Sequence, residues 1–242
     1  MDWKGTALAG VALVAAGIAA GGWFVGRGFA EAKLANRYVT VKGLAERPVK
    51  ADTALWPIRF VATSDKLAEA QTKLADDAGK VRRFLAGAGI PDSDVRVQSI
   101  GVVDQYAQPW RNGPVQSRYV LTQTLAVRTT DVARVAATSQ RVGELVRDGV
   151  ALSQDGPANG PVYVFTGLND IKPGMIAEAT KNARAGADQF ARDSGRHVGG
   201  IRQASQGMFE ILPRDAAPGF DEAGQIDKTV RVVNTVRFDI LD

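Results

Sequence analysis

The sequence predicts an α+β fold, with antiparallel sheets covered by helices on one face and one transmembrane helix at the N-terminus. Three observations predict it. Several segments alternate apolar and polar residues with period two. Segments with apolar residues at spacings of three and four fall between pairs of these strand-like runs rather than alternating singly with them. The 22 residues between Lys4 and Arg27 carry no charge.

That uncharged stretch, GTALAGVALVAAGIAAGGWFVG at 5–26, is long enough as a helix to cross a hydrocarbon core of about 30 Å. A retained anchor competes here with a cleaved signal peptide. The apolar run exceeds an ordinary signal core, and the best small-x-small site, Ala30-Glu31-Ala32, lies beyond Arg27, so the anchor is favoured. Gly17, Gly21, Gly22 and Gly26 form two small-xxx-small pairs that would let two such helices approach closely, although small residues also simply fill an Ala/Gly-rich helix. The chain then divides into an anchor at 1–28, a linker at 29–36 and a domain at 37–242.

Within the domain, 38–45 and 54–61 read as strands, with AERPVKAD between them as a kink or turn. In the second strand Ala54, Trp56, Ile58 and Phe60 share one face, and Pro57, which has no N–H to give a ladder, places the strand at an edge or bulges it. Leu67, Gln71, Leu74, Ala78, Val81 and Leu85 make the apolar stripe of a helix, capped by Ser64 or Asp65 and stopped at Gly89 and Pro91. Residues 95–103 and 118–128 alternate again and form a hairpin whose loop, DQYAQPWRNGPVQ, carries Tyr106 and Trp110 near its tip. Asp131 caps a helix that buries Val132, Val135, Val142 and Leu145 and ends near Gly149. A short strand at 161–166, a helix reaching Gly195 and strands at 201–212 and 229–241 complete the pattern. The polar stretch 213–227 is expected to be a mobile loop.

Composition excludes several classes of function. Thirty basic residues are interleaved with 26 acidic ones, and no basic run alternates with aromatics, which argues against nucleic acid as a partner. Without cysteine there are no disulfides, no thiolate catalysis and no Cys-ligated metal. Neither a Walker loop, a GxGxxG after a strand, a G-x-S-x-G elbow nor an H-E-x-x-H is present. His197 is the one histidine and reads as a surface or turn residue; no metal site and no cofactor are expected. Among the carboxylates, Asp52, Asp104, Asp170 and Glu178 are candidates for acid–base work that sequence alone cannot pair, and solvated or salt-bridged roles are favoured.

The densest polar chemistry lies in LNDIKPGMIAEATKNAR, residues 168–184. Pro173 suits a first helical turn, with Asn169 or Asp170 as cap. Glu178, Lys181, Arg184, Asp188 and Arg192 then share a solvated, mixed-sign face, and Ile176, Ala179, Ala183, Ala187, Phe190 and Ala191 form a small-residue packing face. What helix periodicity leaves over is the turn LNDIKP, whose Asn169, Asp170 and Lys172 are candidate ligand-binding residues. Tyr106 and Trp110, on a Pro-flanked loop, either anchor a protein contact or fold back onto their own sheet.

Three stretches together carry a resemblance: YVTVKGLAERPVKADTALWPI at 38–58, LNDIKPGMIAEATKNAR with its continuation to 209, and KTVRVVNTVRFDIL at 228–241. With the order of elements, they resemble the bacterial SIMPL-domain family of envelope proteins, over essentially 37–242. The resemblance implies an α+β fold with two interleaved sub-structures and a periplasmic location. Some relatives form large hollow oligomers, some are linked to tolerance of oxidative stress, and no catalytic residues carry over. Arg27, Lys33 and Arg37 behind the apolar run would, by the positive-inside count, hold the domain in the cytoplasm. The resemblance overrides that count. The expectation is a single-pass inner-membrane protein, contacting the bilayer through 5–26, with a periplasmic, non-enzymatic, homo-oligomeric domain. A small-ligand or enzyme site at 168–173 and an adaptor role through the loop 104–117, toward another envelope protein, are the alternatives.

Overall fold

The computed structural model describes residues 15–28, 37–108, 114–153 and 160–242. In chain order the elements are α1 (15–28), β1 (Tyr38–Lys50), β2 (Thr53–Ser64), α2 (Leu67–Gly87), β3 (Val95–Asp104), β4 (Tyr119–Thr129), α3 (Val132–Ser139), α4 (Gly143–Arg147), β5 (Ala151–Leu152), β6 (Val162–Val164), α5 (Leu168–Asp193), β7 (His197–Gln206), β8 (Glu210–Pro213) and β9 (Asp227–Leu241). The chain is α+β and divides into two compact units. One comprises 1–45, 174–208 and 232–242; the other comprises 46–173 and 209–231.

The larger unit is built on a five-stranded antiparallel sheet in the order β3-β4-β2-β5, with β6 also paired to β2. Period two is obeyed along β2 from Ala54 onward: Ala54, Trp56, Ile58, Phe60 and Ala62 are buried and the residues between them are not, while Thr53 at the strand start is also buried. Opposite them on β4 stand Val127, Leu125, Gln123 and Leu121, all buried. The face they form is covered by α2, through Ala70, Leu74, Val81 and Leu85, and by α3 and α4, through Val132, Val135 and Leu145. Each large apolar side chain so buried contributes about 1.5–3 kcal/mol.

Several expectations change. β1 runs unbroken through Pro48 to Lys50, because β1 ends the path of its sheet and Pro48 need donate to no outer neighbour. β2 is neither an edge strand nor bulged: Pro57 pairs with Ala126 in continuous register. Among the described residues its other side is paired by β6 at Thr53–Leu55 and by β5 at Phe60 and Val61. The Arg59 carbonyl accepts from Ser153 on that side, so by alternation Pro57 turns its donorless nitrogen to the same side.

On α2 the buried stripe is Ala70, Leu74, Asp77, Val81 and Leu85, one position off the expected one at two places, so Gln71 is exposed and Leu67 largely so. Asp77 tolerates burial because Lys73 and Lys80 reach its two oxygens at 2.8 and 3.1 Å. Neither expected cap is used as one. Ser64 bonds Glu69 and the Lys66 N–H, and Asp65 accepts from the Arg118 N–H. Asp131 does cap its helix, accepting from Arg134 N at 3.0 Å. That helix then breaks into α3 and α4, where Thr138 and Ser139 bond back to the carbonyls of Arg134 and Ala136.

The smaller unit packs α5 against β1, β9 and β7. Val41, Ala183, Ala187, Val236 and Phe238 are its core, with Val39 and Val198 at the margin. The expected single strand at 201–212 is two, β7 and β8, parted at Gly207. A Cβ there would lie 2.4 Å from the Val233 carbonyl oxygen. On α5, Met175, Ala179, Ala183, Ala187 and Ala191 are buried, whereas Phe190 is 62% exposed. Asn234 occupies a core position of β9 and donates to the Ile176 carbonyl and the Thr180 hydroxyl of α5.

Of the expected transmembrane span 5–26, the structure describes 15–26, and they are helix. Among the described residues no helix is long and apolar enough to cross a membrane. Residues 5–14 of the expected span lie outside the described residues.

Candidate functional site

The turn LNDIKP is already helix. α5 starts at Leu168 rather than after Pro173, which sits inside it and removes the donor that would bond the Asn169 carbonyl. What starts the helix earlier is a residue far upstream. The Asp52 carboxylate accepts from Thr166 N at 2.8 Å, Gly167 N at 3.1 Å, the Thr166 hydroxyl at 2.9 Å and the Thr53 hydroxyl at 3.0 Å. Burial pushes the Asp52 carboxyl up. The hydrogen bonds from Thr166, Thr53 and Gly167 outweigh that and hold it below its ordinary range. Asn169 and Asp170 are exposed on the first turn, where the Asp170 charge complements the helix dipole. Lys172 donates to Asn169 Oδ1 at 2.9 Å, and its ammonium stands 5.8 Å from the Phe209 ring centre. The structure therefore gathers Asn169, Lys172 and Phe209, and gives each of the three candidates a place in the helix start.

Farther along α5 the charged face is exposed, but Arg184 turns to the sheet. It donates to the Gly199 carbonyl and lies over the Phe238 ring. Arg192 bonds Gln189.

Tyr106 lies in a 3-10 turn, Gln105–Ala107, and is 60% exposed; Trp110 lies outside the described residues. The turn is fixed by Asp104, which accepts from Tyr106 N at 2.9 Å and takes a forked pair of bonds from Arg118. Arg118 in turn lies 5.6 Å from the Tyr106 ring centre and 4.9 Å from that of Tyr119. Its guanidinium holds the Asp104 carboxyl below the usual carboxylate range. Gly17, Gly21, Gly22 and Gly26 all fall on α1 with open space around them.

A basin that no sequence pattern pointed to lies on the opposite face of the five-stranded sheet from its helices. It encloses about 550 Å³, within the range of small-molecule sites. Strand register builds it. Arg96, Ala126 and Pro57 stand side by side across β3, β4 and β2, and Arg128, Leu55 and Val162 across β4, β2 and β6. Leu55, Pro57, Ala126 and Val162 form an apolar floor, and Arg96 and Arg128 rise beside it with Asp94 at the rim. Gln98, the extra residue of a β3 bulge between Val97 and Ser99, lines the same basin. Among the described residues neither guanidinium has an ion-pair partner. Asn169, Asp170 and Lys172 do not line this basin.

Acid–base pairs do not form from the carboxylates singled out in the sequence: Asp52 serves the turn before α5, Asp104 serves Arg118, and Asp170 is exposed. His197 is exposed at the start of β7. Among the described residues, no three His, Asp or Glu side chains converge as metal ligands.

No curated protein matches the chain. The family model described as "SIMPL: Protein of unknown function (DUF541)" matches residues 39–238, which takes in both compact units. The chain belongs to the SIMPL family.

Proposed function

We propose that this chain is a membrane-tethered, periplasmic protein of the envelope that works without catalysis, as a homo-oligomer assembled through the open edge of its larger sheet. The observation that carries the reading is β3. It ends the strand path β3-β4-β2-β5, so among the described residues one row of its backbone donors and acceptors has no strand beyond it. Along it Val97, Ile100 and Val102 are 49%, 60% and 53% exposed. Their partners on β4 are Leu125, Gln123 and Leu121, all buried, so the exposed row continues the core face past the cover of α2. An apolar ledge beside an open edge is what a second copy covers by adding its own strand.

Tethering rests on the uncharged run at 5–26 and on α1, where Ile18, Trp23, Phe24 and Val25 are exposed. The inner membrane as the site, a single pass and a periplasmic domain complete the reading, and a role in stress tolerance is proposed only from the resemblance to relatives linked to it.

Light scattering on the extracted full chain at micromolar concentration should give a mass above one subunit, and Ile100→Lys with Val102→Lys should return it to one. A wild-type monomer under those conditions, or an oligomer untouched by both lysines, overturns the assembly surface.

A further inference from the structure

We propose that the basin on the outer face of the five-stranded sheet binds a small amphipathic carboxylate, its apolar body on the floor of Leu55, Pro57, Ala126 and Val162 and its head against Arg96 and Arg128. Three features converge on that chemistry.

The first is shape. The outer face of a solvated antiparallel sheet ordinarily carries polar side chains and no concavity. Here Ser93 and Asp94 of the turn leading into β3 and Val162 of β6 flank the strands and leave a recess of about 550 Å³.

The second is the floor. Four apolar groups meet in it by register from three strands, Ala126 and Pro57 in one cross-strand row and Leu55 and Val162 in the next. A ligand with no apolar body would leave that floor wet. An apolar body gains roughly fourfold in affinity for each methylene it buries.

The third is charge. Arg96 and Arg128 are diagonal neighbours on one face of adjacent strands, a relationship that lets long side chains reach each other. Both guanidiniums line the basin, and neither has an ion-pair partner among the described residues. Asp94 at the rim supplies one negative charge. Two guanidiniums and one carboxylate leave the basin a net charge of +1, which a single carboxylate head neutralises and a dianionic phosphate would overshoot. The guanidinium fork matches a carboxylate bidentately, and the Gln98 amide adds a neutral donor.

The full chain in zwitterionic lipid nanodiscs, with empty discs as the blank, tests this by calorimetric titration below the micellar concentration of each probe. Decanoate should bind saturably at one site per chain. Octanoate should bind roughly fifteenfold more weakly, for two methylenes lost. Decanol and acetate should each fall at least tenfold below decanoate, and decyl phosphate should not exceed it. Arg96→Gln with Arg128→Gln should weaken decanoate at least tenfold with an unchanged melting temperature, since both side chains are exposed.

Equal affinity for decanol would show an apolar sink, and equal affinity for acetate a bare anion site. Tighter decyl phosphate would show a phosphate site. Association with anionic vesicles and not with decanoate would show a membrane-docking face. Any of these overturns the proposal, as does a folded double variant with wild-type affinity. The comparison of decanoate with decanol and octanoate uses only the wild-type chain, so it decides the matter even where the variant fails to fold.

Discussion

Gly43 of β1 faces Ala179 of α5 so closely that a methyl group on Gly43 would lie 1.8 Å from the Ala179 carbonyl oxygen and 2.5 Å from the Ala183 nitrogen. The obstacle is backbone, which no rotamer change moves aside. The alanines of α5 and this glycine are one device: each removes side-chain bulk so that helix and strand meet almost backbone to backbone. Gly43→Ala should therefore cost about 3 kcal/mol or more by urea unfolding. Gly186→Ala, on the same helix with open space at its Cβ, should instead stabilise by about 0.5–1 kcal/mol. Equal effects at the two sites would mean that the close approach is not what Gly43 serves.

A second prediction concerns the start of α5. Asp52 carries the turn at Thr166 and Gly167 as a carboxylate, and its pKa lies below the ordinary 3.8 because those hydrogen bonds outweigh burial. A depressed carboxyl stabilises the fold fully above its unfolded pKa and loses that contribution as pH falls through the folded one. Asp52→Asn should cost about 1–2 kcal/mol at pH 7. The gap between variant and wild type should close as the pH drops from about 5 toward 3. A gap that stays constant across that range would mean the charge is not what holds the turn.

The strands with one clean apolar face were legible because burial enforces period two: β2, β4 and β9 follow their alternation over most of their length, with Thr53 and Thr124 the buried exceptions. Elements governed by a distant partner were not. The start of α5 depends on Asp52, 114 residues before Thr166, and the break between β7 and β8 depends on the Val233 carbonyl beside Gly207. β5 is two residues long and exists only as a partner of Phe60 and Val61. Nor could the basin be read, since Arg96 and Arg128 become neighbours only through the register of β3 on β4, bulge included. Asn234 did leave a signal, a polar residue at an inward position of the alternating run VRVVNTVRF, and α5 supplies what it answers to. The polar loop at 213–227 read as mobile, yet Arg214 bonds Asp227 and the buried Lys228 bonds Glu222, tying both of its ends.

The last prediction separates local order from global stability at the aromatic loop. Arg118 grips Asp104 with two N–H groups and lies over both Tyr106 and Tyr119, while Asp104 also holds the Tyr106 N–H. Lysine offers a point charge with neither the planar fork nor the stacking surface. Arg118→Lys and Arg118→Gln should therefore act alike, raising hydrogen exchange at Tyr106 and speeding protease cleavage between 105 and 117 severalfold. The melting temperature should stay close to the wild-type value, because the pair is half-buried at the end of the hairpin and is not part of the core. Acid should mimic both variants. With the Asp104 carboxyl held below its usual range by Arg118, the staple persists at pH 5 and opens as the pH falls below the ordinary carboxylate range. Full protection in the lysine variant would assign the ordering to charge alone. A lowered melting temperature with unchanged cleavage would place Arg118 in the core's stability instead of the loop's order.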